Sequence, residues 1–283
     1  MLHSYAYYDE MRHDMFTRLQ SYFTYLTSDP AGFIVYMLYL VGTVLFSLII
    51  HEVAHGYVAL RCGDPTAKWM GRLSLDPRKH LDPIGTICMF VLGFGWAKPV
   101  PVNPRNFSNY RRDDFLVSIA GICTNLTVFI LCVALSVGVN RLMWQPEFYQ
   151  GFHDYYGTVE YLVNPHYTVG YAIMQGDLEA DVLAVMAQPW LRYVQRGLLM
   201  LANINLSLAV FNLLPIPPLD GYHLLNDTLL RGRLQLSPQA FRITHLALMV
   251  LMFSGMLGGL LSKANLTLYH AVLNMFLMLT GGA

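Results

Sequence analysis

Residues 31–55, AGFIVYMLYLVGTVLFSLIIHEVAH, join an uncharged apolar run directly to a cluster of polar side chains. A helix needs about 20 consecutive apolar residues to cross the hydrocarbon core of a bilayer. Residues 31–50 meet that length without a single charged side chain. The stretch therefore predicts a membrane-spanning helix that carries His51, Glu52 and His55 at its end.

The composition of the whole chain also indicates a protein of the lipid bilayer. Of the 283 residues, 55% are hydrophobic and only 13% are charged, whereas a soluble domain carries about 25% charged residues. The formal net charge is zero, so composition indicates no nucleic-acid partner. No C-x-x-C pair occurs, and apolar packing is the predicted role of the four cysteines, Cys62, Cys88, Cys123 and Cys132.

Four further apolar segments are candidate spans, at residues 115–139, 197–214, 243–261 and 266–279. The run 84–96 is interrupted by glycines and is about 13 residues long, so it predicts a re-entrant or hairpin segment. Residues 15–27 mix aromatic and polar side chains, which favours an interfacial segment before the first span. We therefore predict an all-α polytopic membrane protein with about five transmembrane helices.

Two segments between the first two spans are predicted to be non-helical. Residues 66–75, TAKWMGRLSL, favour a short strand or an irregular cover. Residues 99–104, PVPVNP, predict a rigid extended loop, because each proline fixes its own φ and disfavours helix at the preceding residue. That loop could offer an extended edge to a peptide or simply cap a site.

The distribution of basic residues predicts the orientation of the chain. Nine Lys or Arg residues lie within residues 61–113, and none lies within 142–190, where six acidic residues occur. Because cytoplasmic loops are enriched in Lys and Arg, residues 61–113 are predicted to be cytoplasmic and 142–190 external. The end of the first span, with its polar cluster, is then directed toward the cytoplasm.

His51, Glu52 and His55 form an H-E-x-x-H motif. On a helix the two histidines stand one turn apart on the same face, so both imidazoles can reach one metal ion. Glu52 lies on an adjacent face, where it can act as a general base toward water. A carboxylate next to hydrocarbon is costly unless it is paired or functional, which favours a zinc site over a solvated helix end.

A catalytic zinc site needs a third protein ligand and one open position. The metzincin extension is absent after His55, and no Glu occurs within residues 53–146. The strongest candidate is Asp220, in the run NLLPIPPLDG at residues 212–221, which ends the third span on the predicted cytoplasmic side. The three prolines of this run break the helix, which membranes tolerate where the freed backbone is buried or lines a cavity.

These motifs together resemble the site-2 protease family of intramembrane metalloproteases. The matching pieces are HEVAH, NLLPIPPLDG, the AGICTN stretch at 120–125 and FGWAKPVPVNP at 94–104. The resemblance is to the compact bacterial and archaeal branch, without PDZ or CBS domains. It implies a three-helix catalytic core with Zn2+ bound by His51, His55 and Asp220, and with Glu52 as the catalytic base. The chain departs from the family where it has Ile122 instead of Pro and Tyr222 instead of a second Gly.

The resemblance further implies an endopeptidase that cuts single-span membrane proteins near the cytoplasmic face. The expected organisation is an N-terminal interfacial segment (1–30), the catalytic membrane core (31–230) and C-terminal transmembrane helices (231–283), in a multi-pass protein of a prokaryotic plasma membrane. Asn212 is expected to bind the substrate backbone, although an intramembrane Asn can equally hydrogen-bond between helices. Asn125, in the second span, has the same two interpretations.

Two other classes of protein remain open on the residues alone. A metal-transporting membrane protein would use the same ligands as a transit site, but it predicts paired polar sites along several spans, and here they cluster at one depth. A catalytically silent membrane scaffold would not need Glu52. His80 and His223 are possible additional metal or proton-handling groups, or else polar loop residues and neighbours of the ligands.

Overall fold

The computed structural model describes residues 15–83, 85–86, 97–234, 236–254 and 256–282. Within these ranges the regular elements are helices, and β-pairing is limited to the isolated bridges Leu81–Ala97 and Trp144–Met186. The predicted all-α class is therefore confirmed. The predicted re-entrant or hairpin segment, 84–96, lies outside the described residues except for 85 and 86.

In chain order, the helices are α1 (Met15–Ser28), α2 (Pro30–Arg61), α3 (Thr66–Trp69), α4 (Tyr110–Met143), α5 (Pro146–Tyr156), α6 (Glu160–Val163), α7 (Thr168–Gln175), α8 (Ala180–Ala184), α9 (Leu191–Asn212), α10 (Asp220–Thr228), α11 (Pro238–Phe253) and α12 (Met256–Thr280). Two short 3₁₀ helices occur at Pro77–Lys79 and Pro104–Asn106.

Three of these helices, α2, α4 and α9, are long and apolar enough to cross a membrane. They correspond to the first three predicted spans, and α2 carries the HEVAH motif near its end, which is Arg61. Asp29 caps α2 by accepting a hydrogen bond from Gly32 N, and Asn109 caps α4 by accepting one from Arg112 N. The three helices pack on one another, with α4 against both α2 and α9.

The last two helices are divided at a different place from the predicted one. The sequence predicted spans at 243–261 and 266–279, whereas α11 ends at Phe253 and α12 is continuous from Met256 to Thr280. The polar residues between the two predicted spans are compatible with helix, because Asn265 Nδ2 donates to Ser207 Oγ of α9 over 2.8 Å. Asn265 therefore contributes to packing between helices rather than to a turn.

Residues 142–190, predicted as an external loop, form the compact helices α5–α8. Val159 N donates to Gly282 O over 3.0 Å, which joins this segment to the end of α12. A hydrophobic core joins the segment to α4, α9 and α12, and its fully buried members include Phe129, Val133, Trp144, Leu162, Leu199, Tyr269 and Leu273. The segment is thus a folded cap on one end of the helical core.

The strand alternative for residues 66–75 is wrong. The segment begins with the single helical turn of α3 and continues as irregular chain. Asp64 fixes the start of that turn, because its carboxylate accepts hydrogen bonds from Thr66 N and Thr66 Oγ1. The predicted interfacial segment, in contrast, is the helix α1, whose Tyr25 ring packs edge-on against Phe33 of α2.

Candidate metal centre

Two helices that are far apart in sequence bring three metal-binding side chains together. The turn of α2 places His51 and His55 on one face, with their Nε2 atoms 3.0 Å apart. Asp220, the first residue of α10, lies with Oδ2 at 3.3 Å from both Nε2 atoms. Both histidines are buried, and Asp220 is mostly buried.

The distances between these three atoms fit one zinc ion. A tetrahedral ion about 2.0–2.2 Å from its ligands holds the ligand atoms roughly 3.3–3.6 Å apart. The two separations of 3.3 Å fall at the lower end of that spacing, and the 3.0 Å between the two Nε2 atoms is slightly shorter. Two imidazoles and one carboxylate are also the donor types that catalytic zinc uses.

Asp220 reaches this position because the chain reverses after α9. That helix ends at Asn212, and residues 213–219, with their three prolines, contain no helix. Gly221 makes the return possible, since a Cβ at this residue would collide with the carbonyl oxygens of Leu213 and Leu214. The N-terminus of α10 also favours a carboxylate through the helix dipole. Burial raises the pKa of Asp220, but the two imidazoles lower it more, so the carboxylate is ionised as metal binding requires.

The second spanning helix of the core, α4, supports the two histidines with its backbone. His55 Nδ1 hydrogen-bonds to Val117 O over 2.7 Å, which leaves Nε2 facing the centre. A Cβ at Gly121 would lie 2.5 Å from His51 Cε1 and 2.5 Å from His55 Nε2. Only glycine allows this approach. Neither role was predicted from the sequence, although a glycine inside a spanning helix is a signal for close packing.

Glu52 lies next to the ligands in sequence but outside the group of three donors. Its Oε2 accepts a hydrogen bond of 2.7 Å from Val100 N, in the predicted extended loop. That loop is held in place, because Arg72 Nη2 donates to Lys98 O and Asn103 N donates to Asp64 Oδ2, both over 2.7 Å. The carboxylate is therefore oriented by a fixed backbone group beside the centre.

The chain matches the family model of peptidase family M50 over residues 39–257. It belongs to peptidase family M50. The resemblance to site-2 proteases is thereby confirmed, and the protein is a metalloprotease that hydrolyses peptide bonds. Together with the three apolar helices, the family indicates a membrane protein.

Curated relatives of this M50 peptidase agree with that assignment. It is 38% identical over 196 residues to "Putative zinc metalloprotease YwhC" of Bacillus subtilis (strain 168), an alignment that covers 68% of this chain and 69% of YwhC. It is 28% identical over 202 residues to "Putative zinc metalloprotease Rip2" of Mycobacterium tuberculosis (strain H37Rv), covering 69% of this chain and 59% of Rip2. No solved structure gives a significant match to the chain.

The two asparagines that were predicted to bind substrate do not hydrogen-bond to the three metal-binding side chains. Asn212 is the last residue of α9, and its Nδ2 donates to Leu208 O of the same helix over 3.0 Å. Asn125 is fully buried one turn beyond Gly121 on α4, and its amide atoms have no hydrogen-bond partner within the described residues. A buried amide without partners is costly, which makes Asn125 the stronger candidate for a binding role.

A second polar cluster lies beside the metal centre, further along α10. His223 Nδ1 is 3.0 Å from Asp114 Oδ2 at the start of α4, and Arg111 donates to Asp227 O over 2.8 Å. Burial and the neighbouring Asp114 raise the pKa of Asp227 to about 6, and the hydrogen bond with Asp114 raises the pKa of His223. His223 thus ties α10 to α4, whereas His80 caps its own loop by bonding to Ser74 O.

Proposed function

We propose that this M50 peptidase is an intramembrane zinc endopeptidase that cuts membrane-embedded substrate segments near the cytoplasmic face. The observation that carries the proposal is the group formed by His51, His55 and Asp220 at the end of the apolar helix α2. A site built at that position meets peptide bonds at the edge of the hydrocarbon layer. Single-span membrane proteins are the corresponding substrates.

His51, His55 and Asp220 would hold the zinc ion and leave one position open. When bound there, zinc supplies Lewis-acid chemistry that polarises a carbonyl and lowers the pKa of water to about 7. The residues fit this ion by donor type, by spacing and by the close approach of Gly121.

Glu52 is the proposed base. It takes a proton from the attacking water and delivers it to the leaving amine, which is the ordinary task of a carboxylate beside a metal centre. The hydrogen bond from Val100 N fixes one of its oxygens, so the other can be directed at the reacting groups. Glu52 is separate from the three ligands, so its removal should leave metal binding intact.

Substrate helices must unwind before they are cut, because a helical carbonyl is hydrogen-bonded and shielded. We assign Asn125 and Asn212 to binding the exposed substrate backbone. The amide of Asn125 supports this role, since its donor and acceptor atoms are buried without protein partners within the described residues. Substrates with helix-weakening residues near the cut are therefore expected to be preferred.

Five membrane crossings complete the proposal, with α11 and α12 added to α2, α4 and α9. The 16 residues of α11 reach about 24 Å, which fits a short crossing with local thinning of the bilayer. The charge asymmetry supports a metal centre directed toward the cytoplasm, and the resemblance to the bacterial and archaeal branch supports a prokaryotic plasma membrane. Reporter fusions should place Arg72 and Arg231 inside and Glu160 outside, and cysteine labelling can test the exposed Arg231 directly. An external Arg72 would reverse the orientation.

The alternative of metal transport is less well supported. A transit path needs ligand groups at several depths, and the described residues contain one group of three His, Cys, Asp or Glu donors close enough to share an ion. The presence of Glu52 beside that group also favours hydrolysis over a silent scaffold.

The test is cleavage of a single-span peptide in proteoliposomes by the full chain, with zinc measured in the same preparation. Glu52→Gln should lower the cleavage rate by about 10²–10⁴-fold while zinc stays near one ion per chain. Glu147→Gln, on α5 at the other end of the molecule, is the matched control and should cleave normally. Equal activity in Glu52→Gln, or its loss of zinc, would contradict the assigned role, and cleavage unaffected by a chelator would contradict the function.

A further inference from the structure

A cavity lies at the end of α9 opposite the metal centre. From Arg192 to Asn212 the helix extends over about 30 Å, which is one thickness of the hydrocarbon core. The cavity has a volume of 170 Å³ and is lined by Arg192, Tyr193, Arg196, Gly176 and three apolar side chains. It therefore lies at the depth of lipid headgroups if α9 crosses the membrane.

Arg196 is a buried cation that has no acidic partner among the described residues. It is 5% exposed, and its Nε and Nη2 donate to Met174 O and Gln175 O at the end of α7. The guanidinium also lies over the rings of Tyr36 and Tyr39. In the described part of the chain, no carboxylate forms an ion pair with Arg196. A buried charge is costly without a counter-charge, so the cavity beside it favours an anion.

The third nitrogen of the Arg196 guanidinium, Nη1, lies against Gly176. Its Nη1 has no hydrogen-bond acceptor among the described residues and packs so closely that any Cβ at Gly176 would collide with it. Gly176 has φ +81°, a left-handed conformation that ends α7 and favours glycine. The turn thus leaves room for a guanidinium at the cavity wall.

Arg192 supplies a second guanidinium to the same cavity, one turn before Arg196. It is half-buried, its Nη2 donates to Tyr193 OH over 2.7 Å, and it likewise has no carboxylate partner within the described ranges. Two guanidiniums present planar sets of N–H donors that match phosphate oxygens. Arg192 also lies in the first turn of α9, where the helix dipole favours negative charge.

The side chains around the cavity favour a lipid over a free anion as its ligand. Trp190 and Tyr193, 59% and 49% exposed, lie at this end of α9, as aromatic side chains do at membrane interfaces. The apolar side chains of the cavity suit acyl or glycerol carbons. The exposed Asp177 and Glu179 flank its lining and would repel a free, doubly charged phosphate.

We propose that this cavity binds the phosphodiester of a zwitterionic phospholipid between Arg192 and Arg196. The ammonium group of a phosphatidylethanolamine headgroup would then lie toward the acidic rim. Such a lipid would join α7, α8 and α9 and stabilise the cap on the helical core. The proposal depends on α9 crossing the membrane and is independent of the peptidase mechanism.

The test uses the full chain, purified in a maltoside detergent and depleted of lipid, with thermal unfolding as the readout. Phosphatidylethanolamine in mixed micelles should raise the unfolding temperature. Diacylglycerol with the same acyl chains and inorganic phosphate should not. If diacylglycerol raises the unfolding temperature equally, the cavity is only an apolar groove. If inorganic phosphate raises it equally, the ligand is a free anion and not a lipid. Either result overturns the proposal.

Two variants assign the effect to the cavity. Arg192→Gln should weaken the apparent affinity for phosphatidylethanolamine by about tenfold, since one charge-assisted pair with the phosphate is lost. Gly176→Ala should weaken it as well, because the methyl group displaces Arg196 Nη1. Arg242→Gln, an exposed arginine on α11, is the control and should respond as the wild type. An unchanged lipid response in folded Arg192→Gln would overturn the proposal.

Discussion

The two ends of the helical core are held together by different kinds of contact. At the metal end, polar side chains meet glycines and backbone groups: Gly121 lies against both histidines, and Val100 N holds Glu52. At the opposite end, the cap formed by α5–α8 buries large apolar side chains such as Trp144 and Leu162. The first kind of contact positions a few atoms, and the second contributes most of the apolar burial.

Because of this difference, substitutions at the two ends should have different consequences. Substitutions at the metal end should change zinc binding and activity more than the stability of the fold. Substitutions in the cap should lower the free energy of unfolding and leave the metal centre of the folded molecules intact.

The largest effect is expected from Asp220→Ala. Two histidines alone leave zinc short of the three protein ligands of catalytic sites, so zinc occupancy and peptide cleavage should be lost together. The loss in zinc affinity should exceed the roughly 10–100-fold that follows removal of a residue supporting a ligand. Metal analysis and a cleavage assay on the same preparation measure both.

The control for Asp220→Ala is Asp181→Ala, in the exposed first turn of α8. Asp227 is unsuitable as a control because its buried carboxyl interacts with Asp114. Full zinc occupancy in Asp220→Ala would show that the carboxylate is not a ligand and would remove the main feature of the metal end.

The next largest effect is expected from Gly121→Ala. The added methyl group would lie 2.5 Å from atoms of His51 and His55, so the histidines or α4 must shift. Zinc affinity and activity should fall together by roughly 10–100-fold, as for other changes beside metal ligands. Isothermal titration with zinc and the cleavage assay measure the two quantities.

Gly138→Ala is a matched control on the same helix, because a Cβ at this residue has no neighbour within 4 Å. It should be neutral or slightly stabilising, by up to about 1 kcal/mol, since Ala is the better helix former. If both variants behave alike, the close approach of α4 to the histidines has no functional role.

In the cap, Leu162→Ala should lower the free energy of unfolding by about 2–5 kcal/mol, because Leu162 is fully buried and its truncation leaves a cavity. Zinc per folded chain and specific activity should stay unchanged. Leu142→Ala, at an exposed residue near the same end, should change stability by no more than about 0.5 kcal/mol. Loss of zinc from folded Leu162→Ala would show that the two ends are coupled.

The metal end was largely predictable because its signals are local. The spacing of His51 and His55 follows from the helical turn, and the prolines before Asp220 indicate a broken helix without reference to the rest of the chain. The supporting contacts were not predictable, since Val117, Gly121 and Val100 meet the motif only through tertiary packing.

The cap was predicted as a loop because its helices are short and gain stability from packing. α6 and α8 have four and five residues, too few to show a helical period in the sequence. The division between α11 and α12 was misplaced for a related reason. Asn265 lies between the two predicted spans, and its partner Ser207 on α9 is visible only in the fold.

The smallest expected effect concerns the pH dependence of the contact between α10 and α4, where Asp114, His223, Asp227 and Arg111 face one another. The pKa of Asp227 is raised to about 6, so the folded state binds its proton more tightly than the unfolded state does. This contribution to stability is complete below the unfolded pKa of about 3.9 and is lost as the pH rises through 6. The raised pKa of His223 acts in the same direction, with its contribution lost above the unfolded value of about 6.5.

Asp227→Asn should therefore make the unfolding temperature less sensitive to pH, because the amide is neutral like the protonated carboxyl. Relative to the wild type, the variant should gain roughly 2–4 °C at pH 8 and little at pH 5. His223 still titrates in this variant, so a shallower slope is expected rather than a flat one. Asp181→Asn, at an exposed residue of the cap, should follow the wild-type curve. If Asp227→Asn instead loses stability at pH 8, the carboxylate is favourable in its charged form, and the contact beside the metal centre is an ion pair with His223 or Arg111 rather than a shared proton with Asp114.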